Sequence, residues 1–306
     1  MRLASISIDL DGLRHYEALY GLAFKSSPDA VARLAPERLS GLLDERAAKG
    51  TFFAIGHELL DGGGPLRALA ESGHEIGNHT LTHPYGATRL SSSALRSEVE
   101  GGAEAIAKAI GVRPTGFRAP GYTLTSPLLD MVAATGHAYD SSVFPAAPYY
   151  LAKALVMTLL RLRGRPSAAI LDRPRVLLAP LVPYRPARNE PYARGNHEIL
   201  ELPIAIDPIL RMPFYGTLVV SFPWPVVRLV YASVRRLPFL NLELHGVDLL
   251  EPADGISPEL ASAQRDLRLP LAHKLARLRT VLSWIARDYQ IVTLREAAEC
   301  LGKGLL

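Results

Sequence analysis

With 306 residues, 48% of them hydrophobic and 21% charged, the chain has apolar mass for a large core, which excludes a disordered or fibrous protein. Its 34 basic and 30 acidic side chains leave a formal charge of +4, too small and too dispersed a surplus to mark a nucleic-acid binder. One cysteine, Cys300, excludes an internal disulfide and a thiolate metal cage, and the helical pattern over residues 294–301 predicts a packed thiol there.

The chain opens on MRLASISIDLDG, which alternates as a strand from residue 3 and lacks the charged, apolar and cleavage segments of a secretory leader. A cytoplasmic location is expected on that ground. Apolar positions at helical spacing follow over 30–49, then the short apolar run 51–55, giving β–α–β. Residues 65–72 read as a helix, 74–78 as a strand, and 91–110 as a long amphipathic helix ending at Gly111. A short strand at 116–118, a helix at 126–135, a strand at 240–245, a helix at 270–288 and a last strand at 291–293 complete the series. Repeated βα units over this length predict a parallel sheet or a barrel built from it.

Residues 145–225 break the rhythm. They hold 13 of the 24 prolines, and 151–200 carries nine Arg or Lys against Asp172, Glu190 and Glu198. This Pro/Arg-rich stretch is expected to be an insertion or cap within one domain spanning 1–306. No uncharged apolar run reaches the roughly 18 residues of a membrane span, since Lys153 and Arg161 bracket the longest at 154–160.

Four places carry chemistry. Asp9 and Asp11, at i and i+2 on a strand end, leave one face of the sheet, and two such carboxylates call for a cation or an arginine. His79 and His83, spaced one helical turn apart, together with a carboxylate make a three-ligand metal site of the kind hydrolases use. Arg118 follows a short strand and can hold a carboxylate, while the turn at Gly121 and Tyr122 turns backbone N–H groups toward a developing oxyanion. His245 ends a strictly alternating strand on the same face as Asn241 and Glu243, the place of a general acid in a barrel.

The order and wording of IDLDG (8–12), GTFFAIG (50–56), GHEIGNHTLTH (73–83), GFRAPGY (116–122), YDSS (139–142) and LELHG (242–246) resemble the polysaccharide deacetylases of the nodulation-factor deacetylase superfamily, a carbohydrate esterase type. The likeness covers residues 3–142 and 240–301. It implies an α/β fold, a distorted, incomplete (β/α) barrel, and a metal-dependent hydrolase that removes an N-acetyl or N-formyl group from an amino-sugar glycan, glycolipid or sugar precursor. By the resemblance Asp9 is the base, Asp11, His79 and His83 hold the metal, Arg118 orients Asp9, His245 is the acid, and Gly121 or Tyr122 supplies the oxyanion N–H. One divalent ion is implied as cofactor, Zn²⁺ first, with Co²⁺, Mn²⁺ and Ni²⁺ as alternatives. Two departures stand out: Leu10 separates aspartates that the commonest family motif has adjacent, and Asp140 is followed by Ser141 and Ser142 where the family often has Trp or a second Asp. Support for His245 is therefore open between Asp140 and Glu243.

Two other readings compete, a hydrolase of another C–N bond such as a cyclic amide and a catalytically silent glycan-binding module. The partner expected is a carbohydrate or lipid-linked sugar, with no nucleic acid. Within 145–225, Tyr149, Tyr150, Leu151, Leu155, Leu159 and Leu160 lie at roughly helical spacing beside Lys153, Arg161, Arg163 and Arg165. That composition predicts peripheral contact at the inner face of the membrane, against the alternative that the leucines pack on the barrel.

Overall fold

The computed structural model describes residues 2–165 and 167–304; Met1, Pro166, Leu305 and Leu306 of the expected 1–306 domain lie outside the described residues. The first half runs β1 (Leu3–Asp9), α1 (Leu13–Leu19), α2 (Ala30–Asp44), β2 (Thr51–Ala54), α3 (Gly64–Glu71), β3 (Glu75–Asn78), α4 (Ser92–Ile110), β4 (Gly116–Phe117), α5 (Ser126–Ala134) and β5 (Tyr139–Asp140). The second runs α6 (Ala147–Leu162), the antiparallel pair β6 (Pro186–Ala187) and β7 (Glu190–Arg194), β8 (Leu200–Glu201), α7 (Gly216–Ser221) and α8 (Trp224–Val234). It closes with β9 (Phe239–His245), α9 (Pro258–Ala263), α10 (Leu271–Asp288), β10 (Gln290–Ile291) and α11 (Leu294–Gly302).

The strands β9, β1, β2, β3, β4, β5 and β8 lie side by side in that order, all parallel, with β10 beside the start of β1. Beyond β8 the Ala205 N–H donates to the Asn241 carbonyl of β9 at 2.9 Å, so the curled sheet comes round to its first edge through irregular backbone. The fold is α/β, a distorted and incomplete (β/α) barrel.

Strand β1 is buried on both faces. Ala4, Ile6 and Ile8 join the main apolar core, while Ser5, Ser7 and Asp9 alternate to the other side. Helix α4 starts where Ser91 Oγ accepts from the Ala94 N–H and stops at Gly111, whose φ of 78° is left-handed.

Two expectations need correction. The stretch 145–225 is not wholly outside the barrel, because β8 is a strand of the main sheet paired with β5. Strands β5 and β8 have two residues each, too short for an alternating pattern to declare them. Cys300 is exposed rather than packed, because α11 turns Leu294 and Ala297 inward and carries the thiol on its outer side.

Candidate active site

The side chains singled out in the sequence as chemically active gather at or near the C-terminal ends of the parallel strands, Asp140 among them as the last residue of β5. Full register between β1 and β9 sets Asp9 opposite His245 and Ser7 opposite Glu243. Asn78, which ends β3, stands opposite Phe117, which ends β4, so His79 and Arg118 leave the sheet as neighbours.

The first cluster is Asp11, His79 and His83, all buried, with one donor atom of each within 4.8 Å of the others. His79 Nε2 lies 3.2 Å from Asp11 Oδ1, and His83 Nε2 lies 3.5 Å from Asp11 Oδ2. The spacing of the two histidines is not that of a helix. They sit on a loop in which Thr80 and His83 take φ of 67° and 60°, a region non-glycine residues seldom adopt. Asn78 Oδ1 accepts from the Thr80 N–H, Thr80 Oγ1 from the His83 N–H, and Glu98 accepts from Thr82 through both N–H and Oγ1. Gly102 of α4 permits this packing, since a Cβ there would stand 2.4 Å from Asn78 Oδ1 and 2.6 Å from the Thr80 carbonyl carbon.

The donor set fits a divalent cation. His79 Nδ1 is bonded to the Arg118 carbonyl at 2.7 Å, which holds the hydrogen on Nδ1 and leaves Nε2 as a lone-pair donor. Asp11 Oδ1 and both His83 ring nitrogens are buried without a hydrogen-bond partner. The groups converge yet are not aligned to bond one another, as ligands around an ion are. Burial alone would raise the Asp11 pKa, but His83 and His79 hold it below the usual carboxylate range.

The second cluster centres on Arg118, fully buried, with Nη1 donating to Asp9 Oδ1 at 2.6 Å. Its Nε donates to the Ser141 carbonyl at 2.7 Å, and Nη2 donates to Ser7 Oγ at 3.0 Å and Ser141 Oγ at 2.9 Å. Asn241 ties these hydroxyls together, accepting from Ser7 and donating to Ser141. Burial lifts the Asp9 pKa and the Arg118 charge pulls it back. Asp9 Oδ2 lies 3.9 Å from His79 Nε2, so Asp9 faces the metal-type cluster without joining it.

The third cluster pairs His245 with Glu243, whose Oε1 is 2.9 Å from Nδ1 at an angle short of a good hydrogen bond. Burial works against charge on His245, but Glu243 first, with Asp9 and Asp11, outweighs it and the pKa is pushed up to about 10. The choice of support between Asp140 and Glu243 falls geometrically to Glu243. Asp140 instead accepts from Ser142 Oγ and N–H, and Ser142 Oγ accepts from the Ala119 N–H, bracing the turn that carries Arg118. That turn brings a further correction: the Tyr122 N–H is committed to the Ala119 carbonyl at 3.1 Å, while its hydroxyl lies 3.0 Å from His245 Nε2 and 3.5 Å from Asp9 Oδ2.

The clusters open into one cavity of about 220 Å³, walled by Tyr16, Tyr85, Tyr149, Tyr215 and Lys153. Burial brings Lys153 down to about 8. Sequence reasoning missed this wall, and also Ser7 and His15. Ser7 had a signal, a polar residue two before Asp9 in a strand otherwise destined for the core. His15 carried none, and the fold sets it against His83, the rings tilted with centroids 4.4 Å apart, and puts its Nε2 2.7 Å from Glu58.

By fold the protein is a distorted (β/α) barrel with a polar cavity at its strand ends, and part of the chain is similar to known proteins. Residues 21–139 match the family model described as polysaccharide deacetylase, a stretch holding His79, His83 and Arg118 but neither aspartate nor His245. A peptidoglycan deacetylase of Helicobacter pylori is 26% identical over 49% of this chain and 53% of its own length. A peptidoglycan-N-acetylglucosamine deacetylase of Bacillus cereus is 32% identical over 34% of this chain and 47% of its own. The match thus spans about half the length of each of these curated relatives. A candidate polysaccharide deacetylase of Mycobacterium smegmatis shares the fold with a TM-score of 0.62 at 18% identity, covering 99% of this chain and 91% of that one. The likeness to polysaccharide deacetylases is carried by residues 21–139 and by relatives matched over about half of their own length.

Proposed function

We propose that the protein is a metal-dependent N-deacetylase of amino-sugar substrates, with glycans, glycolipids or sugar precursors as the substrate class and an acetyl or formyl group as the acyl group removed. The observation that carries this reading is one cavity lined by Asp9, which Arg118 holds, by His245, which pairs with Glu243, and by Asp11 and His79, which converge with His83 behind them. Held by those three residues, a divalent ion, Zn²⁺ first by the mixed nitrogen and oxygen donor set, supplies Lewis-acid polarisation of the carbonyl and a lowered pKa for water. Asp9 takes the proton of the attacking water on Oδ2, whose only hydrogen bond among the described residues is the long contact to the Tyr122 hydroxyl, while Oδ1 stays on Arg118. Arg118 does not touch substrate; it is a positioning residue that keeps Asp9 in one rotamer. His245, charged through its pairing with Glu243, gives its Nε2 proton to the departing amine, without which an amide does not cleave. The Tyr122 hydroxyl stands between acid and base, within reach of His245 Nε2 and of Asp9 Oδ2. Aromatic walls at Tyr16, Tyr85, Tyr149 and Tyr215 suit the apolar faces of a sugar ring.

The test is release of acetate, formate or free amine by purified protein with added Zn²⁺, Co²⁺ or Mn²⁺ on N-acylated sugars, oligosaccharides and glycolipids. Metal-stimulated release from at least one is expected. Release that is equal with and without metal, or confined to cyclic amides, sinks the reading.

Glu243 supplies a pH prediction. The protonated form of His245 is the one required, so turnover persists below the His245 pKa and falls as pH rises through it. Glu243→Gln removes the charge that raises that pKa, so the alkaline limb of kcat should move to lower pH. An unmoved limb would mean that another group is the acid.

A further inference from the structure

Helix α6 (Ala147–Leu162) has no buried residue, although leucine, valine, methionine and tyrosine make up more than half of it. Among the described residues, nine of the thirteen exposed large apolar side chains fall within 145–225, five of them on α6. Leu151, Leu155, Leu159 and Leu162, 42–78% exposed, form a stripe at i, i+4, i+8 and i+11 that no other described part of the chain covers. The opposite expectation, that these leucines pack on the barrel, is therefore not met. A second face, about 120° round the helix, is turned to the protein. Tyr149 and Lys153 line the catalytic cavity, and Val156 and Leu160 line a trough of about 690 Å³ whose border the stripe's Leu159 and the exposed Arg163 and Arg165, just past the helix end, share. Tyr20 borders both spaces, so cavity and trough are neighbours along one helix.

Charge accompanies the stripe. The helix has no acidic residue, and Arg161, Arg163 and Arg165 at its C-terminal end form no ion pair among the described residues. No described helix is long and apolar enough to cross a membrane. An apolar row flanked by unneutralised arginines, on a helix too short and too charged to span, is the pattern of a segment lying in a bilayer interface.

We propose that the exposed stripe of α6 docks on an anionic lipid bilayer, with Arg161, Arg163 and Arg165 at the headgroups. The helix that touches lipid is also the wall of the catalytic cavity, so docking sets the cavity mouth at the bilayer surface. The proposal does not depend on the reaction catalysed.

The test is co-sedimentation of the full chain with vesicles of phosphatidylglycerol and phosphatidylcholine, against phosphatidylcholine alone, at low and high ionic strength. Binding to the anionic vesicles at low salt is expected, falling when salt is raised. The triple change Arg161→Gln, Arg163→Gln and Arg165→Gln should weaken it about a hundredfold. Changing Leu151, Leu155 and Leu162 to Asp should abolish it with circular dichroism unchanged, because all three are exposed. Leu229→Asp, an exposed leucine on α8, should bind as the parent does. Absence of binding at low salt overturns the proposal, as does parental binding by the leucine variant. So does a parent that fails to bind vesicles and elutes as a dimer which the leucine variant turns into monomer, since the stripe would then be covered by a second copy.

Discussion

Replacing both His79 and His83 with alanine should abolish divalent-metal binding and hydrolysis together while the chain stays folded. The parent is expected to hold about one ion per chain, since Asp11, His79 and His83 offer one carboxylate and two imidazoles within 4.8 Å. The double substitution leaves one carboxylate, which cannot retain a transition metal in water. Folding should survive because the loop is held by Asn78, Thr80 and Glu98 rather than by the imidazoles. Elemental analysis after dialysis reads the stoichiometry directly, and full occupancy in the double variant would sink the assignment. The same ligands predict a pH effect. Burial disfavours the charged form of His79, but Asp9 and Asp11 together raise its pKa above the ordinary value. Protons should therefore displace metal as pH falls through that raised value, earlier than for an isolated histidine.

Asp9→Asn and Arg118→Met should separate chemistry from stability. The amide in the first variant keeps the shape of the side chain and removes the base, so metal content and fold persist while kcat falls about 10²- to 10⁴-fold. Arg118→Met should instead cost about 3–5 kcal/mol of stability, because it strips a buried carboxylate of its cation and leaves Ser7 and Ser141 short of a donor. It also removes the charge that opposes burial at Asp9, so the Asp9 pKa should climb and the acid limb of the pH–rate profile move to higher pH. Arg118→Lys should not restore activity, since one ammonium cannot reach Asp9, Ser7 and Ser141 at once. Urea unfolding and the pH dependence of kcat/KM measure the two effects. Loss of the ion in Asp9→Asn would show the two aspartates to be exchanged in role.

Much of this was legible in the chain because burial patterns repeat at fixed periods. The alternation of residues 3–9 and 240–245 declared β1 and β9, and put Asp9 and His245 on strand ends that the register then sets opposite each other. Caps at Ser91 and Gly111 bounded α4 by local hydrogen bonding alone. Two-residue strands and the six-residue helices α7 and α9 contain less than two full periods, so β5, β8 and those helices left no such trace.

What the sequence determined by itself was the class of chemistry, since residue type decides which groups can ligate or exchange protons: carboxylates and imidazoles at strand ends, and an arginine to hold one of them. The tertiary structure decided their partners, because a residue's type does not say which group will stand beside it, whether 109 residues away, as Asp9 is from Arg118, or two, as Glu243 is from His245. Only the barrel puts Arg118 on Asp9 and links Ser7, Ser141 and Asn241 around it. It gives His245 to Glu243 rather than Asp140, and it binds the Tyr122 N–H into a turn while aiming its hydroxyl at His245 and Asp9. It also leaves α6 without cover. Apolar spacing in a sequence says that a helix has a greasy face, and only the packing of everything else says whether that face meets protein or solvent.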